Sequence, residues 1–148
     1  MIAATGDSTR FLEYFLQFRK TYTATIELGS ETDTLDNTGM GIKSLPVPTI
    51  DAAALDAARE KFTGVIEQIP PLFSNVRVDG KRAHELARKG QSAELKPRRA
   101  EVHAISLVVQ CNNNIAMQCI VSSGTYIRSL ARDIALFWGT CGHLTTLR

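Results

Sequence analysis

Ile115-Ala-Met-Gln-Cys-Ile-Val-Ser-Ser-Gly-Thr-Tyr-Ile-Arg-Ser-Leu-Ala-Arg-Asp-Ile-Ala-Leu-Phe-Trp138 carries two different periods, and the fold is read from their junction. Ile115 to Ser122 is strand-like, as is Ala100 to Val109 before it. Asn112-Asn113-Asn114 between them tolerates left-handed backbone, so the two runs predict a hairpin. Beyond Gly124, Ile127, Leu130, Ala131, Ile134, Ala135 and Trp138 fall on one helical face, with Arg128 and Arg132 on the other. A helix lying on a sheet follows.

Working upstream, Leu72 to Val78 alternates apolar with polar and is closed by the turn signal Asp79-Gly80. Arg82 to Arg88 then has room for two helical turns before Gly90. Pro48-Thr-Ile-Asp51 opens a helix rich in Ala, Leu, Arg and Glu that runs to about Lys61. Gly29 to Val47 is a connector, with three glycines, Pro46 and clustered Asp, Thr and Asn. Tyr22, Ala24, Ile26 and Leu28 alternate with Thr23, Thr25 and Glu27, the period of a strand with one buried face. Phe11, Leu12, Phe15 and Phe18 predict a short helix capped by Thr9. Antiparallel strands with segregated helices argue an α+β fold, a mixed and largely antiparallel sheet with helices packed on it.

The 148 residues, 44% of them hydrophobic, are enough for one domain with its own core, and residues 1–148 are expected to form it without a second. The longest apolar run, Ile134 to Trp138, is far short of the roughly 18 residues a membrane span needs, so a soluble chain is expected, and the cysteines point to the cytoplasm. Cys111, Cys119 and Cys141 are odd in number with no paired spacing, which fits reduced thiols. Net charge is only +2, but its distribution is uneven. Arg77 to Arg99 carries eight basic and three acidic residues, whereas Met1 to Val76 carries six and ten. Such a block either tracks phosphates or is a solvated face.

Several chemistries are absent from the motifs. No G-x-G-x-x-G or G-x-x-x-x-G-K-[ST] string occurs, so nucleotide cofactors are not expected. Cys141-x-His143, with His84, His103 and the other cysteines, never reaches zinc-ligand spacing, so no metal is expected. Ser122-Ser-Gly124 lacks the G-x-S-x-G pattern of a hydrolase elbow. What remains is Tyr126 and Arg128 where a strand enters a helix, emerging beside free backbone amides that favour anions. Tyr22, in Lys20-Thr-Tyr22, is by itself equally a core residue.

Gly124-Thr-Tyr-Ile-Arg-Ser-Leu-Ala131, followed by Gly139-x-x-Gly-His-Leu-x-x-Leu-Arg148, resembles the segment shared by TruB-type tRNA pseudouridine synthases. The resemblance extends in order through Lys20-Thr-Tyr22, Thr32-Asp-Thr-x-Asp36-x-x-Gly39, Phe62-x-Gly64-x-Ile-x-Gln68-x-Pro-Pro71, Ser74 and Gly80-Lys-Arg-Ala-x-Glu-Leu-Ala-Arg-x-Gly90. Asn75, Arg77 and His84 are mild departures. The serious one is at the front: the family's catalytic aspartate lies in a G-H-x-G-x-L-D-P string ahead of the K-T-Y block, and these residues do not contain it. The family's C-terminal RNA-binding extension is also missing. Asp36 matches the later T-D-T-x-D loop by position, so it receives no catalytic role.

The resemblance implies isomerisation of a T-loop uridine of tRNA, uridine 55, to its C-glycoside by a monomer without cofactor or metal. The base is flipped out of the folded loop to be reached. Tyr22 is implied to pack against it, with its hydroxyl a candidate for proton transfer. Arg128 is implied to pair with the family's aspartate and hold it ionised. Tyr126 and Leu147 are implied to line the pocket, and Lys20, Lys81, Arg82 and Arg88 are candidates for RNA contact. The competing reading is an inactive RNA-binding remnant, or a truncated gene product, of the same family. The aspartate's step, attack on the sugar, attack on the base, or proton abstraction, is left open.

Overall fold

The computed structural model describes residues 3–78, 80–88, 95–111 and 113–148, and for 16, 78, 87 and 88 the backbone alone. A 3₁₀ turn at Gly6–Phe11 leads into α1 (Leu12–Leu16), followed by β1 (Lys20–Leu28), β2 (Ser30–Thr32), β3 (Gly41–Ser44), α2 (Ala52–Lys61), β4 (Gly64–Gln68), β5 (Arg77–Val78) and β6 (Lys81–Arg82). The chain continues through α3 (Ala83–Arg88), β7 (Arg98–Val109), β8 (Asn114–Val121), α4 (Ile127–Phe137) and β9 (Gly142–Leu147). Five strands form one antiparallel sheet in the order β4-β7-β8-β1-β9. This is the α+β arrangement that the two periods predict.

The expected hairpin is β7–β8, with Asn113 at a φ of +61° in its connection. Alternation decides which face of the sheet is covered: Ala24, Ile26 and Leu28 of β1, and Ile115, Met117, Cys119 and Val121 of β8, are buried together. Against them α4 lays Ile127, Leu130, Ala131, Ile134 and Ala135, the stripe read from the sequence. Each fully buried Leu or Ile contributes about 1.5–3 kcal/mol. In α2, Asp51 accepts the Ala54 N–H at 2.8 Å, a side-chain cap at the predicted start. The helix is sewn to α4 by Trp138 Nε1 donating to the Ala54 carbonyl at 3.1 Å.

A β-bulge in β7 falls between Val102 and Ala104. It resets the alternation, so that Val102 is buried before it and Leu107 after it.

Three local expectations are corrected. The Thr9 helix is a 3₁₀ turn plus five α-helical residues, and Phe11 and Phe18 are 56% and 60% exposed. Thr9 does not cap the helix; its hydroxyl donates back to the Gly6 carbonyl at 2.8 Å, the i−3 partner of a tight turn. Leu72 to Val78 is a strand only at Arg77–Val78, because Pro70 and Pro71 precede it and the carbonyls of Phe73 and Ser74 go to Arg128 and His84. The Tyr126 amide at the start of α4 is not free, since Gln68 takes it at 3.2 Å. Asp79, Lys89 and Gly90 lie outside the described residues. Among the described residues, no helix is long and apolar enough to cross a membrane.

Candidate active site

Gly124, with φ +85°, turns the chain out of β8 toward α4 in a conformation that a side chain would strain. Arg128 then leaves the first turn of the helix and is not the solvated residue that its helical face suggests. Its Nη1 donates to the Thr34 carbonyl at 2.8 Å and to Asp36 Oδ2 at 3.1 Å, and its Nη2 donates to the Phe73 carbonyl at 3.0 Å. Nε–H and one Nη2–H find no acceptor among the described residues, and such neighbouring donors suit a second carboxylate.

The loop that meets Arg128 is organised around Asp36. Its Oδ1 accepts from Thr34 Oγ1 at 2.8 Å, the Thr38 amide at 3.0 Å and Thr38 Oγ1 at 2.5 Å. Thr32 Oγ1 donates to the Asp36 carbonyl at 2.7 Å. Leu35 is buried at a φ of +60°, which costs a branched residue roughly 1–2 kcal/mol. Its carbonyl accepts the Leu144 amide of β9 at 3.1 Å, so the strained residue ties the loop to the sheet edge. A Cβ on Gly39 would come within 2.3 Å of both Asp33 Oδ1 and Thr34 Oγ1, leaving room there only for glycine. Burial raises the Asp36 pKa, but the Thr38 and Thr34 hydroxyls, the Thr38 amide and the Arg128 charge outweigh it and hold the carboxyl below its ordinary value.

Asp36, Asn37, Thr38, Arg128, Leu144, Thr145, Thr146 and Leu147 line a cleft of about 360 Å³. Two of the sequence candidates, Arg128 and Leu147, thus meet here, with Leu147 half exposed. Tyr22 is not in the lining. It packs against the core on the same strand face as Ala24, and Ala24 is the cross-strand partner of Leu147. Tyr126 is the N-cap residue of α4, two positions before Arg128. Lys20 Nζ reaches Ser123 Oγ at 3.3 Å beside the Gly124 turn. Lys81 and Arg82 are exposed on the β5–β6 hairpin, whereas the Arg88 side chain lies outside the described atoms.

Sequence reasoning gave Asp36 no catalytic role and missed its pairing with Arg128. The signal was present in Thr32-Asp-Thr-x-Asp36, but its meaning depends on a partner 92 positions away. No three His, Cys, Asp or Glu among the described residues are grouped to hold a metal ion.

The antiparallel sheet thus carries α4 across its buried face, and Arg128 points from that helix into a cleft at the sheet edge. The TruB family pseudouridylate synthase (N terminal domain) model matches residues 1–127, and the chain belongs to that family. Curated relatives called tRNA pseudouridine synthase B agree. The one from Psychrobacter cryohalolentis is 43% identical over 143 residues, 97% of this chain and 40% of the relative. The one from Phocaeicola vulgatus is 42% identical over 148 residues, 99% of this chain and 63% of the relative. The chain therefore spans 40% and 63% of the length of these two relatives. Among solved structures, a chain of a Cbf5-Nop10-Gar1 complex is similar with a TM-score of 0.63 and 25% identity, over 95% of this chain and 32% of that one. A chain of an H/ACA RNP bound to a substrate RNA containing 2'-deoxyuridine shares the fold at a TM-score of 0.58 and 21% identity.

Proposed function

We propose that the full-length polypeptide carrying these residues is a tRNA pseudouridine synthase that converts the T-loop uridine, uridine 55, to pseudouridine. The bond between N1 and the ribose breaks, the uracil turns, C5 bonds to the ribose, and the proton lost from C5 is balanced by one gained at N1. Nothing is oxidised or reduced, so the chemistry asks for no redox cofactor. The observation that carries the reading is Arg128, held by Asp36, Thr34 and Phe73, with donors left over beside a cleft edged by Leu147. The relatives' names support the tRNA substrate.

In this reading the spare donors of Arg128 pair with the aspartate of a G-H-x-G-x-L-D-P segment and keep it ionised. Tyr22 and Tyr126 hold the flipped base, and Leu147 closes the pocket. Lys20, Lys81 and Arg82 contribute phosphate contacts, which supply affinity and register without reading sequence. The enzyme works in the cytoplasm as a monomer.

Tritium release from C5-labelled uridine in tRNA tests this directly. The full-length polypeptide is expected to release label from the T-loop uridine, and a polypeptide of these 148 residues alone to bind tRNA without turnover. Release from other uridines but not this one overturns the specificity. No release from tRNA by the full-length polypeptide overturns the reading, and turnover by the 148 residues alone overturns the need for a further aspartate.

A further inference from the structure

The first turn of α4 carries no cap of its own. Its N-cap residue, Tyr126, makes no side-chain capping bond, and the role is filled from another segment. Gln68, at the end of β4, is only 2% exposed. Its Oε1 accepts the Tyr126 N–H at 3.2 Å, and its Nε2 donates to the Tyr126 carbonyl at 3.4 Å. One amide thus grips the peptide groups on both sides of a single residue, which requires a donor and an acceptor on the same side chain.

The residues after Gln68 continue the seam. The Ile69 carbonyl accepts from Ser129 Oγ at 2.8 Å and from Arg132 Nη2 at 3.0 Å, and the Phe73 carbonyl accepts from Arg128. Between them Pro70 and Pro71 are fully buried, and their fixed φ leaves this path little freedom. On the other side of Tyr126, Thr125 closes the Gly124 turn on the Ser122 carbonyl through its hydroxyl at 2.9 Å and its amide at 3.4 Å, bonds that stop one residue short of the helix. The first turn of α4 itself is therefore held from the β4 side.

We propose that Gln68 is a positioning residue for the Arg128–Asp36 pair: acting through the backbone of Tyr126, its amide sets where the guanidinium stands in the cleft. The inference rests on the reading of Arg128 given above. A misplacement of about 1 Å in a reacting constellation can cost about 100-fold in rate, so the grip matters to turnover well before it matters to folding.

The test uses Gln68→Glu in the full-length polypeptide. A neutral carboxyl reproduces the amide, with C=O toward the Tyr126 N–H and O–H toward its carbonyl. An ionised carboxylate sets a negative oxygen against that carbonyl. Burial and the facing Tyr126 carbonyl lift the introduced acid above its ordinary value of about 4.3, against the pull of nearby arginines of which Arg128 and Arg132 are already paired with Asp36 and Asp133, and this brings the switch into the assay range. Among the described residues, the charged and titratable groups at this corner are Tyr126, Arg128, Arg132 and Asp133 on the α4 side and Arg98, opposite Gln68 on β7. All of them are shared with the unsubstituted enzyme, so the ratio of the two isolates residue 68.

Gln68→Glu is expected to keep kcat within about threefold of the unsubstituted enzyme near pH 5.5 and to fall at least about tenfold below it near pH 8, with KM for tRNA within about threefold throughout. Gln68→Leu, which has neither hydrogen bond, is expected to lose kcat at both pH values without rescue by acid. A ratio for Gln68→Glu that stays flat with pH overturns the proposal, even if Gln68→Leu fails to fold. Loss carried by KM, or a melting temperature below the assay temperature, assigns Gln68 to binding or folding and also overturns it. If Arg128→Met retains full turnover, the reading of the site itself fails. If Arg128→Met is inactive while Gln68→Glu is flat, only the role of Gln68 is refuted.

Discussion

Arg128 Nη1 is shared between Asp36 Oδ2, at 3.1 Å, and the Thr34 carbonyl, at 2.8 Å, so one nitrogen fixes both the charge and the backbone of the loop opposite α4. The two side chains are 25% and 27% exposed, and water screens part of their attraction. What the pair gives is placement, because three segments distant in sequence meet on one planar group.

Arg128→Met in the full-length polypeptide should reduce turnover by at least about 100-fold while leaving tRNA affinity within about tenfold, since most affinity comes from phosphate contacts elsewhere. Arg128→Lys should not rescue it. A point-like ammonium cannot reproduce the planar fork that reaches Thr34, Asp36 and Phe73. Single-turnover rates and filter binding separate the two effects.

Asp36 is held below its ordinary carboxylate value, so the stability it contributes is fully present above its unfolded pKa of about 3.9 and is lost as pH falls through the lower folded value. Asp36→Asn should therefore lower the melting temperature most at neutral pH, and the gap from the unsubstituted protein should close toward pH 3. A gap independent of pH would assign the effect to the Thr34 and Thr38 hydrogen bonds alone.

Tyr22→Ala should abolish turnover. Tyr22→Phe distinguishes two uses of the residue, because it keeps the ring and deletes only the hydroxyl. Near-normal kcat for the phenylalanine variant identifies packing as the contribution, and a loss comparable to that of alanine identifies proton transfer.

Cys111 is exposed at the β7–β8 connection, whereas Cys119 and Cys141 are buried. Burial pushes the Cys119 thiol up to about 11. Titration of the native protein with a thiol-specific disulfide near pH 8 should give one fast equivalent and reach three only on unfolding, because the thiolate is the reactive form. Two fast equivalents would mean that the sheet opens locally.

Lys81 and Arg82 are exposed and adjacent in β6, and alternation points them to opposite faces of the ribbon. Neutralising both should flatten the salt dependence of tRNA binding by about 0.7–0.9 for each phosphate that is no longer neutralised. An unchanged slope returns this part of the basic block to a solvated face.

The sequence showed most clearly those elements whose neighbours lie close along the chain. The β7–β8 hairpin and α4 announce themselves by period, and Ile127, Leu130, Ala131, Ile134 and Ala135 are buried as that period requires. β9 gives no such signal, because Gly142, His143 and Leu144 are all buried and no alternation survives. The β7 bulge hides in the same way, as a phase slip in an otherwise regular strand. In the site, Arg128 was legible within its motif. Its bond to Asp36 was not, since spacing along one segment says nothing of a loop 92 positions away. Gln68 stood in a recognised string, but only geometry shows that it serves Tyr126.

The place of β1 in the sheet also has a temporal side. It lies between β8 and β9, and Thr25 reaches Thr146 across 121 positions of chain. At the usual pace of synthesis, about 5–20 residues per second, β1 leaves the ribosome roughly 6 to 24 seconds before β9 does. Until β9 arrives, the edge of β1 that carries Ala24 to Leu28 stays unpaired, and an unpaired strand edge invites foreign partners. A ribosome stalled before Gly142 thus exposes a strand edge ready to pair with whatever chain is nearest.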